Sequence, residues 1–252
     1  MINRVVLIIQ ARVGSTRLPG KSLMDLAGKP LVARLLERVK RCKNIDEIVL
    51  AIPNTLENDP LEDLANNFGV SLFRGSEDDL VDRYYQAAKK FKATIVGRLP
   101  ADNPMPEPYE IDRIIDYHKK SNNAFSSNLL EVFSNGYPDG IGAEMIDFSA
   151  LETVWKECNN PEWREHVHLN FFNYIDQKQV DKRFRVGTIE CPENFRRPEI
   201  ILDVNTQEQY EFIKQIYEYH YDDNPYFHIT DIINWYDQIY LKKTRIIKAN
   251  IG

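Results

Sequence analysis

The chain has 252 residues, 43% of them hydrophobic and 28% charged, with a formal net charge of −6. That length buries a substantial core, and 11% aromatic residues without a low-complexity tract exclude disorder as the main state. The acidic balance argues against nucleic acid as a main partner, and no apolar run approaches the roughly 18 residues of a membrane helix.

Residues 5–9 are a continuous apolar run, the pattern of a strand buried on both faces. Residues 29–42 follow with helical periodicity. The basic stretch at 34–43 carries Leu35, Leu36 and Val39 at helical spacing, so it reads as the solvated side of an amphipathic helix. Next come a strand at 47–52, a helix at 59–68, a strand at 70–73, a helix at 77–91, a strand at 93–96 and a helix at 109–120. Four strand–helix units in series predict right-handed crossovers and a doubly wound, mostly parallel Rossmann-like α/β sheet. The second half reads as strands at 124–129, 142–148, 183–191 and 199–204, with helices at 149–158, 161–177, 206–220 and 229–241. No linker or internal repeat interrupts the pattern. One domain is expected, with residues 1–205 as a catalytic core and 206–252 as a C-terminal helical extension.

Three scattered cysteines (Cys42, Cys158, Cys191) lack CxxC spacing, which suits a reducing compartment better than a disulfide framework or a structural zinc site. The opening residues are interrupted by Arg12 too early for a secretory leader. A soluble, cytoplasmic protein is the expectation.

Ligands of open α/β sheets bind beyond the carboxyl ends of the strands. The segment after the first strand runs Gln10, Ala11, Arg12, Val13, Gly14, Ser15, Thr16, Arg17, Leu18, Pro19, Gly20, Lys21. Glycines let backbone N–H groups approach an anion, and Arg12, Arg17 and Lys21 supply charge for phosphate oxygens. It is not a P-loop, because five residues separate Gly14 from Gly20 where that motif has four, and Pro19 sits inside. A different phosphate loop is implied, against the blander reading of a surface loop with solvated cations.

This segment resembles the N-terminal signature of the cytidylyltransferases that activate acidic sugars. These include the CMP-Kdo and CMP-sialic acid synthetases, with the spore-coat polysaccharide type as the most similar branch. The resemblance extends to about residue 210 and implies a nucleotidyltransferase of the glycosyltransferase-A-related fold. It further implies that Gln10, Ala11, Arg12, Gly14, Ser15, Arg17 and Lys21 contact the nucleotide. By similarity of the segment 73–84, Arg74, Ser76 and Arg83 join them, and Arg98 is carried over from 96–104. Read alone, Ser76 is a good helix cap.

Asp102 matches the family aspartate that coordinates the metal bridging the triphosphate, and Asp203 matches a second metal-binding aspartate at a later strand end. Mg²⁺ suits such a site, taking one or two carboxylates plus phosphate oxygens. Without the resemblance, Asp102 reads as an Asx turn and Asp203 as a residue favouring a helix N-terminus. Asp139 and Glu144 are similar to a family Pro-Asp-Gly…Glu substrate segment, and Glu165-His166 resembles its Arg-Glu-His stretch. A structural role is the alternative for His166, and His168, two residues on, is unassigned.

The implied reaction transfers CMP from CTP to an acidic sugar or other small acidic acceptor, with release of pyrophosphate. Arg12, Lys21 and Asp102 would carry the catalysis, without a covalent intermediate, since no GxSxG elbow or base-paired cysteine is present. The rivals are a glycosyltransferase consuming a nucleotide sugar and a non-catalytic nucleotide-binding protein. The aromatic C-terminal segments (Tyr217, Tyr219, Tyr221, Trp235, Tyr236, Tyr240) read as core or as a homodimer face.

Overall fold

The computed structural model describes residues 3–242. Its elements run β1 (Val5–Gln10), the short hairpin β2 (Asp25–Leu26) and β3 (Lys29–Pro30), α1 (Leu31–Val39), β4 (Glu47–Pro53), α2 (Asp59–Phe68), β5 (Ser71–Gly75), α3 (Leu80–Lys90) and β6 (Ile95–Pro100). Then follow α4 (Pro108–Lys120), β7 (Phe125–Ser127), β8 (Glu144–Asp147), α5 (Phe148–Glu157) and α6 (Pro161–Glu165). The two-residue strands β9 (Phe172–Asn173), β10 (Lys178–Gln179) and β11 (Val186–Gly187) precede the helices α7 (Gln207–His220) and α8 (Ile229–Trp235).

Seven strands form one sheet in the order β11-β7-β8-β6-β1-β4-β5. All neighbours are parallel except β8, which runs antiparallel to both β6 and β7. β1 is buried on both faces. Val5, Leu7 and Ile9 enter the apolar layer under α1, α2 and α4, while Val6 and Ile8 enter the layer under α3 and α5. The chain leaves β1 toward β4 and β5, then crosses back to β6 on the other side of β1. In an open α/β sheet the ligand crevice opens where the strand order reverses, which here lies between the loops that follow β1 and β6.

Local signals set the helix ends. Pro60 and Pro108 sit in the first turns of α2 and α4, Gly69 ends α2 at φ 61, and Thr206 with Gln209 forms a capping box on α7.

Three secondary-structure expectations are corrected. The helix at 161–177 ends at Glu165, passes through a tight turn over Val167–Asn170, and becomes the β9–β10 hairpin. Asn173 Oδ1 accepts the N–H groups of Ile175 and Asp176, and Gln177 takes φ 52, so the chain turns where periodicity alone continues a helix. The strand at 199–204 is a single parallel bridge between Ile201 and Asp139, and the strand at 183–191 shrinks to two residues.

Of the basic stretch at 34–43, Lys40 and Lys43 are exposed, but the two arginines within α1 are not solvated. Arg34 is 1% and Arg38 3% exposed. The Arg34 guanidinium lies 3.7 Å from the Tyr221 ring centroid and donates to the Leu26 carbonyl. Arg38 donates to the carbonyls of Pro106 and Phe227 and lies 3.7 Å from the Glu107 carboxylate. These two side chains bind α1 to α7 and α8, whose apolar faces form a third cluster with Leu26, Leu31, Tyr137, Ile200 and Leu202. Tyr217 and Trp235 belong to that cluster, while Tyr219 is 54% exposed. Residues 243–252 of the expected C-terminal extension lie outside the described residues.

Leu7→Ala should destabilise the chain by about 2–5 kcal/mol, because Leu7 is fully buried and its Cδ1 fills the space beside Gly97. Urea denaturation measures this; a cost below about 1 kcal/mol would contradict the packing described.

Candidate active site

The loops after β1 and β6 diverge from adjacent residues, since Gln10 pairs with Pro100 across the sheet. Between them opens a cavity of about 560 Å³. Along its first wall Gly20, at φ 71, turns the chain into the short 3-10 turn Lys21–Leu23. That turn buries Lys21 and aims its ammonium inward. Lys21 Nζ donates to Asp102 Oδ2 at 2.7 Å, to the Val204 carbonyl at 2.8 Å and to Asn205 Oδ1 at 3.3 Å. Arg12 and Arg17 also line the cavity, and neither has an ion-pair partner among the described residues.

The opposite wall is acidic. Asp102 follows β6, and its carbonyl accepts the Val204 N–H at 2.8 Å, which draws the 203–205 segment alongside. Asp139 N–H donates to the Ile200 carbonyl, and the Leu202 N–H donates back to the Asp139 carbonyl, so this two-residue ladder sets Asp139 near Asp203. The approach requires Gly140, which has φ +89 and whose Cβ would meet the Leu202 carbonyl carbon at 3.0 Å. Burial, then the charge of Asp102, holds the Asp203 carboxyl above its usual range, against Lys21 and Arg17. Burial, then Asp203 and more weakly Asp102, pushes the Asp139 carboxyl up to about 7, although the Gly140 N–H pulls it down.

Carboxylates that raise one another's pKa form the donor set a divalent cation relieves. Among the described residues no group of three or more His, Cys, Asp or Glu converges closely enough to hold a metal unaided. Asp102 and Asp203 are a donor set of the kind Mg²⁺ takes, one or two carboxylates with the rest of the shell left to phosphate oxygens and water.

Beyond the carboxylates the cavity is closed by Arg98, Glu165, His166 and His168. Arg98 is already engaged: its Nη1 lies 2.6 Å from Glu144 Oε2, and Tyr174 Oη donates to Glu144 Oε1 at 3.1 Å. Burial works against the Arg98 charge, and Glu144 outweighs it, leaving the guanidinium firmly protonated. Burial, then the Arg98 and His166 charges, holds His168 well below the usual imidazole range, hence neutral. Buried atoms without a partner among the described residues include Gln10 Oε1, Arg83 Nε, Arg98 Nε and His168 Nδ1, all on residues that line this cavity. Polar atoms shielded from water and left unpaired are costly unless a ligand completes them.

The sequence profile described as cytidylyltransferase matches residues 6–230. The chain belongs to the cytidylyltransferase family. It is 32% identical over 222 residues to the spore coat polysaccharide biosynthesis protein SpsF of Bacillus subtilis, covering 86% of this chain and 88% of that one. It is 36% identical over 116 residues to a 3-deoxy-manno-octulosonate cytidylyltransferase of Anaeromyxobacter, covering 45% of this chain and 47% of that one. The solved structure of a cytidylyltransferase from Leptospira borgpetersenii superposes with a TM-score of 0.83 at 28% identity, covering 94% of this chain and 95% of that one. The enzyme is thus a nucleotidyltransferase with the α/β fold of that class.

In this cytidylyltransferase the cavity brings together Gln10, Ala11, Arg12, Ser15, Arg17, Lys21, Arg83, Arg98, Asp102, Asp139, His166 and Asp203. Four expected residues stand elsewhere. Arg74 turns away onto Asp59 and Glu62. Ser76 accepts the Asp79 N–H and so caps the approach to α3. Gly14 packs on Glu57, whose Oε1 would lie 2.9 Å from a Cβ there. Glu144 is fully buried beneath Arg98.

His168 carries no role in the sequence, and Tyr174 and Asn205 are not singled out there: Asn205 stands just before a helix, where it looks like a cap, and Tyr174 falls within the 161–177 span whose periodicity predicts a helix. A Ser126–His118–Asp147 chain of hydrogen bonds, at 2.9 and 3.2 Å, has the order of a catalytic triad. Ser126 is 0% exposed and no member lines the cavity, so it is a structural network. Burial raises the Cys191 thiol to about 12, which removes it as a nucleophile. No helix among the described residues is long and apolar enough to cross a membrane.

The Asp139 carboxyl predicts a pH dependence. Its ordinary value is 3.8, so between about pH 4 and 7 the folded chain retains a proton that the unfolded chain has released. That contribution makes stability fall as pH rises through this window. In EDTA, Asp139→Asn should make the decline shallower and leave the variant more stable than the parent at pH 7.5, as read by urea denaturation. An equally steep decline would contradict the crowding of these carboxylates.

Proposed function

We propose that the enzyme transfers CMP from CTP to a small acidic acceptor of the acidic-sugar class, releasing pyrophosphate, in surface polysaccharide or glycoconjugate biosynthesis. The observation that carries this reading is the convergence of one cation-rich loop and two carboxylates, Asp102 and Asp203, on a single cavity at the switch point of the sheet. The family assignment supports cytidine as the base, and the names of the SpsF and octulosonate relatives support an acidic sugar as acceptor.

In this reading an acceptor oxygen forms the new bond to the α-phosphorus. The bond between the α- and β-phosphates breaks, and its electron pair leaves with pyrophosphate. Arg12, Arg17 and Lys21 face the phosphates and stabilise the charge that accumulates on the leaving group. Asp102 and Asp203 would hold Mg²⁺, which when bound supplies Lewis-acid neutralisation of phosphate oxygens. Lys21 keeps Asp102 oriented before the nucleotide arrives, through its 2.7 Å ion pair. Arg98 and the neutral His168 close the far side of the cavity, where their unpaired buried nitrogens offer hydrogen bonds to an oxygen-rich acceptor. Positioning supplies much of the remaining rate.

Asp102→Asn should leave the fold intact and lower pyrophosphate release at least ~100-fold. The assay uses CTP, Mg²⁺ and a panel of acidic sugars that includes 3-deoxy-manno-octulosonate and sialic acid. Undiminished turnover of this variant in saturating Mg²⁺ would remove Asp102 from the metal site.

A further inference from the structure

Asn58 sits at the N-cap position of α2, where an asparagine side chain ordinarily accepts an N–H of its own helix. It forms no such cap. Instead Asn58 Oδ1 accepts the Val13 N–H at 2.9 Å, and its Nδ2 donates to Thr55 Oγ1 at 2.8 Å. Asn58 is 0% exposed, so the amide is held on both sides with no water competing for it.

Val13 is the hub of the cation-rich loop. Its carbonyl accepts the Ser15 N–H at 2.8 Å and the Gly20 N–H at 3.1 Å, closing the loop at both ends. Its N–H is the group that Asn58 fixes. A single buried amide thereby ties the loop hub to the turn after β4, one strand away from the loop's own strand. The same turn supplies Glu57, whose carboxylate lies beside Gly14. Arg12 and Lys21, on either side of this hub, line the cavity. Misplacement of an anion-binding loop by about 1 Å can cost on the order of 10²-fold in a site that works by positioning.

We infer that Asn58 is a positioning residue for the phosphate loop: its amide oxygen, bonded to the Val13 N–H, holds the loop in the conformation that binds a triphosphate. The local capping preference of α2 is forgone for this contact. The inference rests on the reading of the loop as the triphosphate site, so its test separates the two. Calorimetric titrations at 15 °C in Mg²⁺ compare the parent, Asn58→Leu and Asn58→Asp, using CTP and, in parallel, inorganic tripolyphosphate, which carries no base. Circular dichroism and the unfolding midpoint establish that each variant is folded at that temperature.

Asn58→Leu keeps the volume and loses the acceptor, and should weaken both ligands at least tenfold. Asn58→Asp keeps an acceptor for the Val13 N–H, with the Thr55 hydroxyl turned to donate, and should stay within about threefold of the parent. A folded Asn58→Leu that binds tripolyphosphate as tightly as the parent overturns the inference. So does an equal loss in both variants, which marks a purely structural residue. A parent that binds tripolyphosphate but not CTP overturns the cytidine assignment and leaves the Asn58 comparison to be read from tripolyphosphate. A parent that binds neither overturns both.

Discussion

One ammonium group joins the parts of the molecule that carry its chemistry. Lys21 Nζ reaches Asp102 after β6 and the Val204–Asn205 pair before α7, while Lys21 itself belongs to the loop after β1. Three segments far apart in sequence are thereby drawn around one charge. The pair is only partly buried, with side-chain exposures of 11% and 23%, so neither ion loses all its hydration. A fully buried pair would be hard to exchange for a new ligand, and a fully exposed one would hold nothing in place. This intermediate burial suits a site that must be assembled before its anion arrives and rearrange when it does.

The remainder of the fold serves to deliver these segments. The switch point at β1 opens the crevice. The Asp139–Leu202 backbone ladder brings a third carboxylate to its edge, and the buried arginines of α1 dock the C-terminal helices beneath it. Charge is distributed unevenly across the cavity: the guanidinium groups of Arg12 and Arg17, without ion-pair partners among the described residues, line one side and crowded carboxylates the other. In the function proposed, phosphates would complete the first half and a divalent cation the second, each relieving like charge with the opposite sign.

The first half of the fold was legible because β1 and β4 are buried and appear as apolar runs, whereas β6 was legible only as far as Val96, since Gly97 and Arg98 interrupt its apolar pattern. The cation-rich loop was legible because Gly14, Gly20, Arg12, Arg17 and Lys21 crowd behind a buried strand. What escaped follows from contacts at long sequence separation. Arg34 and Arg38 look solvated until Tyr221 and Phe227 arrive from almost two hundred residues away to cover them. The β9–β10 hairpin has strands of two residues, too short for any periodicity, and its turn depends on the Asn173 side chain. Arg74 matches the family pattern in type and place, yet two nearby carboxylates outcompete the cavity for its charge. Asn58 looks like an ordinary helix cap, and only the loop beside it reveals where its amide goes.

In the function proposed, this cavity takes cytidine triphosphate together with a divalent cation. Thermal unfolding with each of the four nucleoside triphosphates, with and without Mg²⁺, tests it most directly. A ligand present at 100 times its dissociation constant adds about 2.7 kcal/mol of stability, a readily measured shift. Selective, Mg²⁺-enhanced stabilisation by CTP is the predicted result. Stabilisation by another nucleotide alone, or by none, would contradict it.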